Sequence, residues 1–179
     1  MTINNIFLIG LMGVGKTSVG RQLARLLRYP FFDADKELEA RTGVSIPWIF
    51  DQEGEAGFRK REQLIIDELT QLKGVVLATG GGAVLSAENR QHLKTRGKVV
   101  WLQASLDTLS ARTARDKTRP LLQQHGGPRQ VLAELLEQRD PLYRDLADVI
   151  IDTDTAGGSH KTAETIAQWL AAQEHDAFS

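Results

Sequence analysis

The chain reads as an α/β protein, a five-stranded parallel sheet with helices on both faces. Three observations predict it. Short continuous apolar runs alternate with segments of helical periodicity, the pattern of strands covered on both sides. The first run, Ile6-Phe7-Leu8-Ile9, leads directly into Gly10-Leu11-Met12-Gly13-Val14-Gly15-Lys16-Thr17 and then a helical stretch. Two further polar motifs, Asp33-Ala34-Asp35 and Thr79-Gly80-Gly81-Gly82, also follow apolar runs directly. In such sheets ligands sit at the carboxyl ends of the strands, so all three motifs should surround one crevice.

The glycine-rich stretch matches G-x-x-x-x-G-K-[ST] between a strand and a helix, the phosphate-binding P-loop in its required context. Glycine lets the backbone bend around an anion with no Cβ in the way. The N–H groups from Gly13, Val14 and Gly15 to Ser18, together with the positive end of the helix dipole, face the phosphates of ATP. Lys16 reaches the β- and γ-phosphates, and the Thr17 hydroxyl is placed to ligate Mg²⁺.

The first helix runs over Ser18–Leu27, with Val19, Leu23, Leu26 and Leu27 apolar. Strands are expected near 5–9, 30–33, 75–79, 98–102 and 148–152. A helix over Lys36–Arg41 is stopped by Gly43, and a short one covers Ser45–Phe50 with Ile46, Ile49 and Phe50 on one side. The run Gly54–Glu62 leads into a long amphipathic helix bearing Leu64, Ile65, Ile66 and Leu69, ended near Gly74. Ser86 caps a helix to about Thr95, and Ser105 caps another with Leu106, Leu109 and Ala111 as core contacts. A helix from Val131 to about Arg139 is interrupted by Pro141, and the last helix covers about Thr162–Ala172.

With 179 residues, 41% hydrophobic and 25% charged, the chain has the size and composition of one globular domain with a real core. A net charge of −1 gives no global field toward nucleic acid or membrane. Cysteine is absent, which excludes disulfides and thiolate metal sites and fits a reducing compartment. The N-terminal residues lack a signal-peptide pattern, and no apolar run approaches the roughly 20 residues that span a bilayer. The expectation is a cytoplasmic monomer with neither nucleic acid nor membrane as partner. His92, His125, His160 and His175 show no metal-ligand spacing, and Trp48, Trp101 and Trp169 read as core or pocket wall.

Asp33 and Asp35 stand two apart at a strand end. One can hold Mg²⁺ through water, and the other can orient, or take a proton from, an attacking hydroxyl. Either can equally cap the following helix, and the roles are compatible. Gly80, Gly81 and Gly82 either admit a ligand very close to the backbone or form a plain turn. Arg59 and Arg139 lie on helical segments far apart in sequence. Each can grip a carboxylate with its fork or sit on a solvated face. From Arg112 to Arg129 the chain turns basic around Pro120, Gly126, Gly127 and Pro128. This segment reads as a lid that brings Arg119 to the transferring phosphoryl group, or as a surface loop. Aromatic residues do not interleave with its charges, which disfavours a nucleic-acid patch.

Absences narrow the class. No N-K-x-D specifies guanine, no aspartate ends the Val75–Ala78 strand as in motor ATPases, and the D-G-F-P-R run of adenylate kinases is missing. A small-molecule kinase remains.

The P-loop, Asp33-Ala34-Asp35, Gly54-Glu55-Ala56-Gly57-Phe58-Arg59-Lys60-Arg61-Glu62, Thr79–Gly82, Arg119-Pro120-Leu121-Leu122 and Arg139-Asp140-Pro141-Leu142-Tyr143 together resemble the shikimate kinase family over nearly the whole chain. The resemblance implies ATP-dependent phosphorylation of the shikimate 3-hydroxyl on the way to chorismate and the aromatic amino acids. It implies a three-layer fold like that of nucleoside monophosphate kinases, with strand order 2-3-1-4-5, an acceptor-binding subdomain near 33–61 and a lid near 112–124. By the same resemblance Asp35 holds the reacting hydroxyl and is the candidate base. Arg59 and Arg139 clamp the carboxylate, and Gly81, within the Gly80–Gly82 triplet, donates an N–H. Thr17 binds Mg²⁺ with Asp33 behind it through water. Arg119 touches the phosphates, and Arg112 flanks the adenine opposite a loop near Thr153–Ala156. The nearest alternatives are another small-metabolite kinase, such as a gluconate kinase, and a non-catalytic ATP-binding domain.

Overall fold

The computed structural model describes residues 4–114, 122 and 126–176. Five parallel strands, β1 (Asn5–Ile9), β2 (Phe31–Asp33), β3 (Val76–Ala78), β4 (Gly97–Gln103) and β5 (Val149–Asp152), form one sheet in the order β2-β3-β1-β4-β5. Leu8 of β1 pairs with Ala78 on one side and Val100 on the other, and Trp101 pairs with Ile150. The two central strands beside the phosphate loop are buried throughout, which is why their sequences are continuous apolar runs.

Among the described residues seven helices join them: α1 (Lys16–Leu27), α2 (Ala34–Thr42), α3 (Ile46–Thr70), α4 (Ala87–Arg96), α5 (Leu106–Thr113), α6 (Gly127–Leu146) and α7 (Ser159–Asp176). A 3-10 turn, Ala83–Leu85, lies between β3 and α4. α1 packs on α7, while α4 packs on α3 and α6. The β1-to-β2 and β3-to-β4 crossovers run in opposite directions across the sheet, so right-handed connections put these groups on opposite faces. Each cap has its local cause. Asp33, Ser45, Ser86 and Ser105 accept first-turn N–H groups, and Gly43 takes a left-handed φ of 72° to end α2.

Several expectations need correction. α6 begins at Gly127 and runs through Pro141 to Leu146. The proline removes one helical N–H, but Val131, Leu132, Arg139, Tyr143 and Leu146 form a continuous buried stripe that holds the helix together. α7 extends beyond 162–172 at both ends. Leu26 and Leu64 are exposed, Leu64 by 66%, because both stand off the stripe that their neighbours Leu23 and Ile65 follow. Ala111 is exposed, and Thr113 takes the buried position instead, its hydroxyl satisfied by Leu109 O at 2.7 Å. Trp48 is neither core nor pocket wall but half exposed, whereas Trp101 is buried and Trp169 packs at the core margin.

The short helix from Ser45 and the long amphipathic one abut at Gly54, whose φ of 70° and ψ of −178° break α3 into two arms. Across the break, Arg61 donates to both Glu53 carboxylate oxygens, at 2.8 and 2.6 Å. Nothing lies within 4 Å of a Cβ at Gly54, so a side chain there meets only backbone strain. Gly54→Ala is therefore expected to lower stability by about 1–3 kcal/mol. Urea unfolding followed by circular dichroism checks this; an unchanged midpoint would show that the break relaxes without cost.

Candidate active site

β1 ends at Ile9, and the chain turns through Gly10, Gly13 and Gly15, with φ of 141°, 82° and 100°. α1 starts at Lys16 with no side-chain cap and no acid in its first turn, so its positive end is left for an outside anion. Lys16 Nζ donates to Gly10 O at 2.6 Å and Leu11 O at 2.9 Å, which holds the ammonium across the loop. Gly13, Gly15, Lys16, Thr17 and Ser18 line a cavity of about 190 Å³. The buried Val14 side chain anchors the loop in the core, and Arg112 Nη1 grips the outer side at Gly13 O and Val14 O, both 3.2 Å.

Asp33 shows how its two readings coexist. Its Oδ1 accepts from the N–H groups of Asp35 and Lys36, capping α2, while its Oδ2 accepts from the Thr17 hydroxyl at 2.6 Å. A hydroxyl and a carboxylate so close beside the phosphate loop are a hard-oxygen set that fits Mg²⁺. Among the described residues no cluster of three or more His, Cys, Asp or Glu could hold a metal alone.

Thr17, Asp33, Asp35 and Gly81 also belong to the wall of a second, larger cavity of about 530 Å³. Ile46, Phe50 and Phe58 give it an apolar side, and Arg59, Glu62, Arg139 and the three glycines a polar one. The sequence-predicted acceptor residues therefore meet in one place. Arg139 is only 1% exposed, and its Nε and Nη1 have no hydrogen-bond partner among the described residues. Arg59 donates to Glu62 at 2.8 Å and to Glu55 at 3.2 Å. Burial would lower its pKa, but the two carboxylates more than offset that and hold the guanidinium above its usual value.

Each glycine of the triplet makes room for a charged group. A Cβ at Gly80 would lie 2.6 Å from Glu62 Oε2 and 3.1 Å from Asp35 Oδ1. At Gly81 it would lie 3.2 Å from Arg139 Nη1, and at Gly82 it would collide with the Arg59 guanidinium. Tyr143 Oη donates to Gly81 O at 2.5 Å, and burial pushes its pKa up to about 12, so the phenol keeps its proton.

Sequence reasoning missed Glu62 and Tyr143 as parts of this site, along with the apolar wall of Ile46, Phe50 and Phe58. Glu62 stands one turn after Arg59, a spacing that could have flagged it. Tyr143 stands one turn after Arg139 in the same way. The loop near Thr153–Ala156 is tied to the start of α5, the helix that carries Arg112, by Asp154, which accepts from Ser105 N at 2.8 Å and whose carboxyl is lowered by hydrogen bonds from Ser105 first and by the Arg112 charge among lesser causes. Arg119 and most of the expected lid lie outside the described residues; Leu122, from the same run, is buried.

A phosphate loop opening onto a pocket with two arginines and an acid defines a P-loop kinase of a small anionic acceptor. The family model for shikimate kinase matches residues 12–171. A shikimate kinase from Pseudomonas syringae pv. tomato is 59% identical over 152 residues, 85% of this chain and 88% of that protein. The structure of the Acinetobacter baumannii shikimate kinase in complex with shikimate aligns with a TM-score of 0.92 at 50% identity, covering 96% and 95% of the two chains. The chain belongs to the shikimate kinase family. A gluconokinase from Sinorhizobium meliloti, 21% identical with a TM-score of 0.56 over 95% of this chain and 97% of its own, shares the fold alone.

The glycine packing yields a direct test. Gly82→Ala is expected to push Arg59 out of the pocket and raise the acceptor KM at least about tenfold, the worth of one charge-assisted contact. Steady-state kinetics against each substrate check it. An equal rise in the ATP KM would point to general damage instead.

Proposed function

We propose that the residues gathered around these two cavities carry out the reaction of the family, phosphorylation of the shikimate 3-hydroxyl by ATP to give shikimate 3-phosphate and ADP, in the pathway to chorismate and the aromatic amino acids. The observation that carries the reading is Arg139, a buried guanidinium with unmet donors on the acceptor side of the phosphate loop. A charge held out of water calls for a hydrogen-bonding counter-charge, and a ring carboxylate supplies it in matching planar form.

We assign the roles within that reading. Gly13 to Ser18 and Lys16 bind the ATP phosphates, while Arg112 and the Thr153–Ala156 loop flank the base. Thr17 and Asp33 would hold Mg²⁺, which when bound would offset charge on the phosphates. Arg59 and Arg139 pin the acceptor carboxylate, Gly81 donates a backbone N–H, and the apolar wall covers one side of the ring. That fixes the hydroxyl between Asp35 and the γ-phosphate. Its oxygen forms the new bond to phosphorus, the bond to the β,γ-bridging oxygen breaks, the electron pair leaves with ADP, and Asp35 accepts the proton. Arg119, outside the described residues, is assigned to the transferring phosphoryl group and the 112–124 segment to a lid. We assign the chain to one kinase domain with its acceptor-binding part near 33–61, acting as a cytoplasmic monomer without nucleic-acid or membrane partners. No described helix is long and apolar enough to cross a membrane.

A charge-assisted contact is worth about 1.5–3 kcal/mol, so Arg139→Ala is expected to weaken shikimate binding about ten- to hundredfold while ATP binding stays within about twofold. Titration calorimetry with each ligand, beside an assay panel of shikimate, gluconate and nucleoside monophosphates, checks both affinity and substrate. Unchanged shikimate affinity, or turnover of another panel member, would overturn the assignment.

A further inference from the structure

Phosphoryl transfer as derived above leaves Glu62 without a task. It sits on α3 in the wall of the acceptor cavity and is 2% exposed. Its Oε1 accepts from Arg59 Nη1 at 2.8 Å. Its Oε2 is buried with no hydrogen-bond partner among the described residues and sits against Gly80, where only the missing side chain separates it from Asp35. The groups facing it are Arg59 on its own helix, with Glu55 beyond that guanidinium, Asp35 from α2, and Arg139 and the Tyr143 phenol from α6. The segment after β3 presents only the glycine backbone.

A buried carboxylate oxygen without a donor disfavours the charged form, and a neighbouring acid disfavours it further. Two guanidinium groups work the other way. An acceptor carboxylate that settles on Arg59 and Arg139 takes up that compensation and brings a third negative charge into the same enclosure. We propose that Glu62 binds a proton from solvent when the carboxylate-bearing acceptor enters, which makes acceptor affinity proton-linked through this one residue. The inference rests on the clamp described above.

In the ligand-free protein burial pushes the Glu62 carboxyl up to about 7, against the pull of Arg59. The acceptor raises it further, which sets the sign. Below the free midpoint Glu62 is protonated in both states, and affinity is flat. Between the free and bound midpoints binding takes up as much as one proton, and the shikimate Kd rises with pH by at most about tenfold per unit. Above the bound midpoint the dependence levels off again.

Calorimetry of the full protein with shikimate from pH 6 to 9, in two buffers of different ionisation enthalpy, reads the proton directly. Wild type is expected to take up a fraction of a proton that peaks above pH 7. Glu62→Gln, which keeps an oxygen for Arg59, is expected to bind with no uptake and no pH slope. Identical heats in both buffers across the range, or uptake that persists in E62Q, would overturn the proposal. A carboxyl ¹³C titration of the ligand-free wild type supplies a second reading that does not need the variant to fold. A midpoint near 7 that moves up with shikimate supports the proposal; one in the ordinary carboxylate range sinks it. If shikimate produced no heat at all, the substrate assignment would fall, and the free-protein midpoint tells that failure apart from a Glu62 ionised throughout.

Discussion

A guanidinium almost sealed from water is the constraint around which the acceptor half of this molecule is arranged. Arg139 lies on α6 next to Gly81, and Tyr143 one turn later ties that glycine's carbonyl to the same helix. Burying a cation without enough hydrogen-bond acceptors costs several kcal/mol. The protein meets that cost only in part, with Nε and Nη1 left without partners among the described residues. The unmet part is what the proposed substrate carboxylate would recover on binding. α6 thus does more than close the layer against β4. It carries a preformed charge to the edge of the phosphate loop, and its passage through Pro141 keeps Arg139 and Tyr143 on one stripe.

The glycine triplet is the counterpart of that constraint. As a sequence it could have been a loose turn. In the structure the space of each missing Cβ is claimed by a side chain from elsewhere, Glu62 and Asp35 at Gly80, Arg139 at Gly81 and Arg59 at Gly82. Those side chains come from α2, α3 and α6, so three helices converge on one backbone segment at the end of β3. The glycines are there for close approach rather than for conformational freedom. None of the three takes a positive φ, unlike Gly13 and Gly15 in the phosphate loop.

What the sequence made legible follows from how local each signal is. The phosphate loop was readable because its chemistry lies in consecutive residues between a strand and a helix. β1, β3 and most of β4 were readable because burial on both faces leaves continuous apolar runs, while the edge strands β2 and β5, half-buried or alternating, were readable from the β-branched and aromatic residues that lead into an acid. Asp33 could be read as cap or metal partner and serves as cap while holding Thr17, since each of its oxygens does one job. Signals that depend on distant neighbours failed. Ala111 and Thr113 exchange places because only Thr113 faces Gly13. Leu64 looks as apolar as Ile65 but lies off the buried face of α3, which Ile65, Ile66 and Leu69 form. Pro141 reads as a stop by local rules and is overridden by the buried residues on either side. Glu62 and Tyr143 carried only a weak local signal, their one-turn spacing from Arg59 and Arg139, because their meaning comes from Gly80, Gly81 and Asp35, each far away in sequence.

Glu62 also shows what the site costs the fold. A carboxyl whose midpoint is raised from 4.5 to about 7 keeps its proton in the native state over a range where the unfolded chain has lost it. The native state then binds more protons than the unfolded one, so this residue's contribution to stability is greatest below the ordinary carboxyl range and declines as pH rises through 7. An apolar side chain of similar size would avoid that loss and would also remove the partner of Arg59. The acid sits where it weakens the fold as pH rises, as the partner of Arg59 and beside the glycine that lets it reach Asp35, so its charge state is coupled to the two guanidinium groups and the acid that line the pocket.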